Sequence, residues 1–322
     1  MTGCSDNIEG LRCVVLGGGG FMGTNLCLAL ARRGARVQAF GRSRIMSAVS
    51  NEVTWMSGLF DDPSAVARAI EGNNIVFHLI GSSTAASSNR DPIADLNSGA
   101  INTLKMLDIC RESGVRRVIF ASSGGTIYGV PRSVPIREDH PAEPISAYGV
   151  SRLAIEKYLS LYRYLHNLDY IVLRIANSYG RYQVPTKKQG VIAAMIINVL
   201  NGAPLEFWGT GAAIRDFIHV DDVVEAMIAS IFYEGPVKVF NVGSGIGRSI
   251  NEVAADIESM FPNTIAHRVY REARAADVPT NVLDISLIKQ EMNWSPEVDW
   301  QAGLRDTADW LTDFLAARGA AP

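Results

Sequence analysis

Arg12-Cys13-Val14-Val15-Leu16-Gly17-Gly18-Gly19-Gly20-Phe21-Met22-Gly23 is the stretch on which the reading of this chain turns. Its first five residues are mostly apolar and include two β-branched valines, which predicts a buried strand. Four glycines follow, and the residues over 22–33 predict a helix. Gly17, Gly20 and Gly23 recur at three-residue intervals. A strand that passes through glycines into a helix exposes backbone N–H groups at the helix N-terminus, and these suit a pyrophosphate. Alone, the glycines would serve equally as a flexible turn. In this setting they read as a dinucleotide-binding loop, with Gly17, Gly20, Phe21, Met22 and Gly23 as contact positions.

The next strand, over 36–40, leads into Gly41-Arg42-Ser43-Arg44. NAD-binding folds place Asp or Glu there, about 20 residues past the loop, on the ribose 2′-hydroxyl. A glycine at that point, followed by Arg42, Ser43 and Arg44, suits a 2′-phosphate. The cofactor expected is therefore NAD(P), with NADP favoured and NAD possible; a solvated basic loop is the plain alternative. Helices at 63–70, 93–113 and 147–166 alternate with strands at 75–80, 118–121 and 170–175. That alternation predicts an α/β fold, a Rossmann-type doubly wound parallel sheet, with a smaller C-terminal substrate-binding region. Residues 1–176 form the first unit, completed by roughly 213–243 and 277–286. Residues 177–212, 244–276 and 287–322 form the second. The apolar run over 191–200 predicts a buried helix.

The 322 residues are 48% hydrophobic and 20% charged, with a formal net charge of -3. Such a balance gives no reason to expect a nucleic-acid partner. No apolar run is long enough to span a membrane, and no basic segment precedes an apolar one at the start, so a cytoplasmic protein is expected. Cys4, Cys13, Cys27 and Cys110 show no paired spacing and read as small reduced core residues. The five histidines lack metal-ligand spacing, so no metal is expected. Asp221-Asp222 read as a helix N-terminal cap.

Tyr148-Gly149-Val150-Ser151-Arg152 places a phenol and a guanidinium four residues apart, on one face of a helix. A cation so placed favours the phenolate, and the tyrosine then trades a proton with a hydroxyl. Lys157, five residues past Arg152, lies on another face and reads as solvated.

Further strings complete a pattern. They are His78-Leu79-Ile80-Gly81, Asn97 with Asn102-Thr103, and Ser122-Ser123-Gly124-Gly125-Thr126-Ile127-Tyr128-Gly129. Arg174-Ile175-Ala176-Asn177-Ser178-Tyr179-Gly180, Arg215-Asp216-Phe217-Ile218-His219-Val220-Asp221-Asp222, Asn241-Val242-Gly243-Ser244-Gly245 and Arg274-Ala275-Ala276-Asp277 follow. Together with the glycine loop they resemble the extended short-chain dehydrogenase/reductases, in the nucleotide-sugar epimerase, dehydratase and reductase group. UDP-glucose 4-epimerase-like proteins are the closest pattern.

The resemblance implies that Tyr148 is the acid/base. Arg152 stands where the family has Lys, to bind the nicotinamide ribose and tune Tyr148. Leu79, Gly81, Asn97 and Ser122 would flank the cofactor. The family's usual hydroxyl position, four residues before Tyr128, is Gly124 here, so Ser123 or Thr126 would serve, Thr126 being preferred. Thr126, Asn177, Arg215 and Arg274 would bind substrate, the arginines matching phosphate oxygens. The plain alternatives are that Ser122 and Ser123 satisfy a strand end, and that Arg215 pairs with Asp216 or Asp221.

The partner implied is a nucleotide-diphosphate sugar. A homodimer is implied through the helices over 93–113 and 147–166, with Leu104, Leu107, Leu153 and Leu161 in the seam. The reaction implied is 4-epimerisation of a UDP-hexose. The alternatives are an NADPH-dependent reductase of a 4-keto nucleotide sugar and a nonenzymatic NADP-binding sensor.

Overall fold

The computed structural model describes residues 8–42, 53–81, 85–184, 190–262, 264, 267–272 and 278–319. In chain order the first part comprises β1 (Arg12–Leu16), α1 (Phe21–Arg32), β2 (Arg36–Gly41), β3 (Val53–Ser57), α2 (Pro63–Ile70) and β4 (Ile75–His78). Then come α3 (Ala85–Ser88), α4 (Pro92–Leu96), a π-helical turn (Asn97–Ile101), α5 (Asn102–Glu112), β5 (Arg117–Ser123), α6 (Ala147–His166) and β6 (Asp169–Ile175). The remainder is β7 (Asn177–Tyr179), α7 (Val191–Leu200), β8 (Leu205–Trp208), β9 (Ile214–His219), α8 (Val220–Phe232) and β10 (Val239–Val242). It ends with β11 (Gly247–Ser249), α9 (Ile250–Met260), β12 (Arg268–Arg271), β13 (Thr280–Asn281), α10 (Ser286–Met292) and α11 (Trp300–Gly319).

Seven strands pair in the order β3-β2-β1-β4-β5-β6-β10, every pair parallel. Successive side chains of a strand point to opposite faces. Cys13 and Val15 accordingly join a core with Leu26, Leu30, Met227 and Ile231 of α1 and α8. Val14 and Leu16 join another with Ala69, Leu107, Ile155 and Leu159 of α2, α5 and α6. From β1 the chain turns first toward β2, and later continues on the other side through β4. Doubly wound sheets bind ligands at such a reversal, outside the carboxyl ends of the strands.

A second sheet runs β11-β9-β13, with β7 also on β9. It packs over a third core in which Ile192 and Ile196 of α7 meet Phe207, Phe217, Leu304 and Leu311. The apolar run over 191–200 is thus a buried helix. Of the 213–243 stretch, β10 pairs with β6 at the edge of the first sheet and α8 packs on that sheet, whereas β9 lies at the centre of the second. Among the described residues no helix is long and apolar enough to cross a membrane.

Two elements differ from the sequence reading. The helix expected over 93–113 is broken by the π turn, where the Asn102 N–H donates to Asn97 O. Ser151 on α6 donates to Asp95 Oδ2 at 2.6 Å, pinning α4 just before that widening. β3 is an additional edge strand. In its Val-Thr-Trp-Met-Ser sequence only Val53 is buried, and it pairs with β2 alone.

Candidate active site

A cleft of about 650 Å3 opens at the reversal point and is bordered by Gly17, Gly20, Phe21, Met22 and Gly23. Gly17 has φ +90, and the N–H groups of Gly17 and Gly18 donate to Phe40 O at the end of β2. A Cβ on Gly23 would collide with Gly17 O, and one on Gly18 would lie 2.7 Å from Ala39 Cβ. The loop therefore lies directly on both helix and sheet, as only glycines allow. α1 starts with no side-chain cap and no acidic residue in its first turn. Its leading N–H groups are left to a ligand, and that is the cradle an anionic pyrophosphate fits.

At the end of β2, a Cβ on Gly41 would meet only ordinary contacts, the nearest at 3.5 Å from Trp55. A side chain has room there, so the missing carboxylate is not enforced by packing. Arg42 beside it is exposed; Ser43 and Arg44 lie outside the described residues.

α6 begins at Ser146, whose side chain accepts from Gly149 N. Tyr148, Arg152 and Glu156 then fall on one face, four residues apart. Tyr148 and Arg152 both border the cleft. Arg152 is only 6% exposed, which matters because a buried guanidinium needs partners. Its Nη2 donates to Ile80 O at 3.1 Å. Its Cζ lies 4.9 Å from the Tyr148 ring centroid and 5.3 Å from that of Phe120. The positive charge thus sits on the face of the phenol ring. Gly81 closes this corner: a Cβ there would collide with Arg152 Nη2 and lie 3.9 Å from the Tyr148 hydroxyl.

Beneath them, His78 lies between the rings of Phe60 and Phe120. Thr103 donates its hydroxyl proton to Gly99 O at 2.7 Å, so it accepts from His78 Nε2–H at 2.9 Å. Burial, with the nearby Arg152 charge, pushes His78 down to about 3 and keeps it neutral.

The serine-rich loop follows β5. Ser122 borders the cleft but donates its proton to Glu156 Oε1 at 2.6 Å. Glu156 in turn holds Arg174 at 2.7 Å, and both are buried. Arg174 donates to the Tyr128 hydroxyl at 3.0 Å, which donates to Asn241 Oδ1 at 2.6 Å. This network was not foreseen as a unit; Glu156, eight residues past Tyr148 on the same helix face, was its signal. A Cβ on Gly124 would lie 2.6 Å from Leu283 Cδ1 and 3.0 Å from Arg174 O, so a side chain at the family's hydroxyl position would have to push the Leu283 tip aside. Ser123 is partly buried at the end of β5. Thr126 Oγ1 is buried without a hydrogen-bond partner. Neither is among the residues bordering the cleft.

Asn177 and Arg215 border the same cleft. Asn177 Nδ2 donates to Asp216 O at 3.0 Å, and Arg215 Nη1 to Ile214 O at 2.9 Å. The Asp216 carboxylate is fully buried and accepts from Ser244 N, Ser244 Oγ, Gly245 N and Leu283 N. Leu79 and Gly81 border the cleft, whereas Asn97 is exposed at the start of the π turn. Arg274 lies outside the described residues. Tyr179, Gln183 and Phe217 are cleft residues that the sequence did not signal. Asp221 and Asp222 occupy the first turn of α8, but the cap itself is His219, whose ring accepts from Asp221 N. Asp222 instead accepts from Glu297 N and Val298 N.

Residues 13–243 match the model of the NAD dependent epimerase/dehydratase family. A UDP-glucose 4-epimerase of Mycolicibacterium smegmatis is 29% identical over 309 residues, covering 94% of this chain and 98% of the relative. The crystal structure of UDP-glucose 4-epimerase from Thermotoga maritima with UDP-glucose matches with a TM-score of 0.90 at 31% identity, covering 95% of this chain and 100% of that one. The Thermus thermophilus UDP-glucose 4-epimerase in complex with NAD matches with a TM-score of 0.87 at 30% identity, covering 97% and 100%.

Proposed function

This chain belongs to the NAD dependent epimerase/dehydratase family, and we propose that it is a nucleotide-sugar 4-epimerase acting on a UDP-hexose. One observation carries the reading. A single cleft joins the glycine loop, the Tyr148–Arg152 pair and the residues Asn177 and Arg215. Relatives of this fold crystallised with UDP-glucose and with NAD support the same pairing of ligands.

A bound nicotinamide supplies the reversible hydride acceptance that epimerisation at C4 requires. The chain supplies the rest. Tyr148 takes the proton of the 4-hydroxyl and gives it back. Arg152, stacked on the phenol ring and anchored to Ile80 O, orients that ring and keeps a positive charge beside it. The glycine loop holds the cofactor pyrophosphate, while Asn177, Arg215 and Arg274 hold that of the sugar nucleotide. Thr126 is favoured ahead of Ser123 for the sugar oxygen from its place in the serine-rich loop; its Oγ1 is buried and unpaired and lies off the border of the cleft. NADP is favoured as the bound form because Gly41 removes a carboxylate and Arg42 adds a cation. The same pair favours the second reading, an NADPH-dependent reductase of a 4-keto sugar nucleotide.

The subunit is proposed to dimerise through α4, the π turn and α5, together with α6. Ile93, Leu96, Ile101, Val150, Tyr158 and Leu161 are exposed apolar residues of these elements. Leu107 is fully buried in its own subunit and so does not belong to that seam. Buried free thiols at Cys13, Cys27 and Cys110 support a cytoplasmic setting. A monomer by light scattering at micromolar concentration would remove the dimer.

The test of function is turnover of UDP-glucose by purified protein without added cofactor, with mass spectrometry of what denaturation releases. Tyr148→Phe is expected to lower turnover about 10²–10⁴-fold in folded, cofactor-loaded protein. Full turnover in that variant removes Tyr148 from the proton transfer. A strict need for stoichiometric NADPH and a ketosugar selects the reductase instead.

A further inference from the structure

Asparagine is a poor choice inside a helix, because its amide competes for backbone groups. Asn25 is the fifth residue of α1, two past Gly23 of the glycine loop, and only 9% exposed. Its Nδ2 carries two protons, and both are committed. One goes to Phe21 O, in the first turn of the same helix, at 3.0 Å. The other goes to Arg181 O, 156 residues further along the chain, at 2.9 Å. The first bond fixes the amide, and the second ties α1 to the segment between β7 and α7. Among the described residues no other hydrogen bond joins α1 to the residues over 178–184.

That segment is a wall of the cleft. Tyr179 and Gln183 border the space, and Arg181 lies between them in the chain. Gln183 Nε2 donates to Ser178 O at 3.0 Å, and Gln183 N to Gly180 O at 3.3 Å, so the turn is closed on itself. Within it Tyr182 has φ +69, a conformation that a bulky residue takes only where its surroundings hold it. Its ring meets that of Trp310 on α11, with centroids 5.2 Å apart. The Arg181 guanidinium lies 3.0 Å from Asp306 of α11 and 3.5 Å from Asp221 of α8, and the same two carboxylates face the His219 ring. The Arg181 side chain is 43% exposed, however, and ion pairs so exposed hold little. The partly buried bond from Asn25 is the firmer link to the helix of the glycine loop, since water competes less for it.

We propose that Asn25 is a positioning residue for the reaction. By holding the Arg181 carbonyl to α1, it sets the wall that Tyr179 and Gln183 present to the sugar nucleotide in register with the helix that carries the cofactor loop. The inference rests on the epimerase reading above.

The experiment compares Asn25→Leu and Asn25→His with the wild type, each as the whole purified protein with its bound cofactor. Leucine is close to asparagine in size and has no donor. Histidine places Nδ1–H where the amide has Nδ2, and so restores one. In Asn25→Leu the KM for UDP-glucose should rise about three- to ten-fold, the scale of one hydrogen bond, with kcat and released cofactor within about two-fold of wild type. Asn25→His should return KM to within about two-fold. Hydrogen exchange reads the wall directly: amides over 178–184 should exchange about three- to ten-fold faster in Asn25→Leu, and those of β6 should not change. Asn25→Ala serves if the Leu variant does not fold. An unchanged KM in the donor-less variant overturns the proposal and leaves the epimerase reading standing. Loss of bound cofactor in step with activity also overturns it, since the effect then lies in the glycine loop. If the wild type does not turn over UDP-glucose, the epimerase reading fails by itself. Unchanged exchange over 178–184 then overturns the tether as well, whereas faster exchange there keeps Asn25 as the residue that sets this wall.

Discussion

The two ends of the catalytic cleft are built from different materials. The glycine loop is made by backbone: Gly17, Gly18 and Gly23 stand where side chains would strike Gly17 O, Ala39 or Leu79. The Tyr148 corner is made by side chains, with Arg152 on the phenol ring, Gly81 clearing space for it and Glu156 behind. A backbone site has few workable sequences, so it keeps to its pattern. A side-chain corner has several, and here it carries an arginine and a glycine where the family pattern has a lysine and a hydroxyl. The difference teaches that the cofactor end identifies the fold, while the tyrosine end decides what this chain does with it.

The contrast is broken most sharply at Glu156. It holds Arg174 in a buried pair and takes the Ser122 proton, so the tyrosine end depends on one carboxylate. Glu156→Gln leaves the Arg174 charge buried without its partner, a change that costs about 3–5 kcal/mol. Urea unfolding should register that loss. A loss below about 1 kcal/mol would mean that the pair does not support the site.

Protonation gives the next effect. His78 is ordinarily near 6.5 and is pushed down to about 3, first by burial and then by Arg152. A histidine depressed in the folded state contributes stability fully above 6.5, and loses it as pH falls from there toward 3. By pH 5 the loss should reach up to about 2 kcal/mol. His78→Phe keeps a ring between Phe60 and Phe120 without titrating, so its stability should fall less between pH 7 and pH 5. Equal slopes for the two proteins would dismiss His78 as the cause.

At the cofactor end the exposed Arg42 sets a smaller expectation. Arg42→Ala should weaken NADP about ten-fold, the scale of one charge-assisted contact, and NAD much less. Equal losses for both cofactors would show that Arg42 does not read the 2′-phosphate.

How far the sequence carried each region follows from the same contrast. β1, α1 and the parallel alternation were legible because buried strands are continuous apolar runs, and glycines punctuate them. The face shared by Tyr148 and Arg152 was legible from helical periodicity alone. Other features were not, because they depend on contacts between distant segments. That Gly124 is crowded by Leu283 joins two loop segments far apart in the chain. The bond from Asn25 to Arg181 joins residues 156 apart. The π turn at Asn97 leaves a normal helical pattern in the sequence, since one extra residue barely disturbs the apolar spacing.

The finest test of the side-chain corner is Gly81 against Arg152. A methyl group at residue 81 must displace the Nη2 end of a guanidinium that is already held by Ile80 O and by two rings. Because that end is the flexible tip of a side chain, the cost is an off-rotamer adjustment, about 0.5–1.5 kcal/mol. Gly81→Ala should therefore lower kcat/KM about three- to ten-fold. Lysine has no forked end to displace, so Arg152→Lys added to Gly81→Ala should return most of the loss. The pair would show a coupling that separate sites do not. If the double variant is merely the product of the two single ones, Gly81 answers to something other than Arg152. In that case the arginine fits this corner without help from the glycine, and only its charge and its stacking on Tyr148 connect it to the proton transfer.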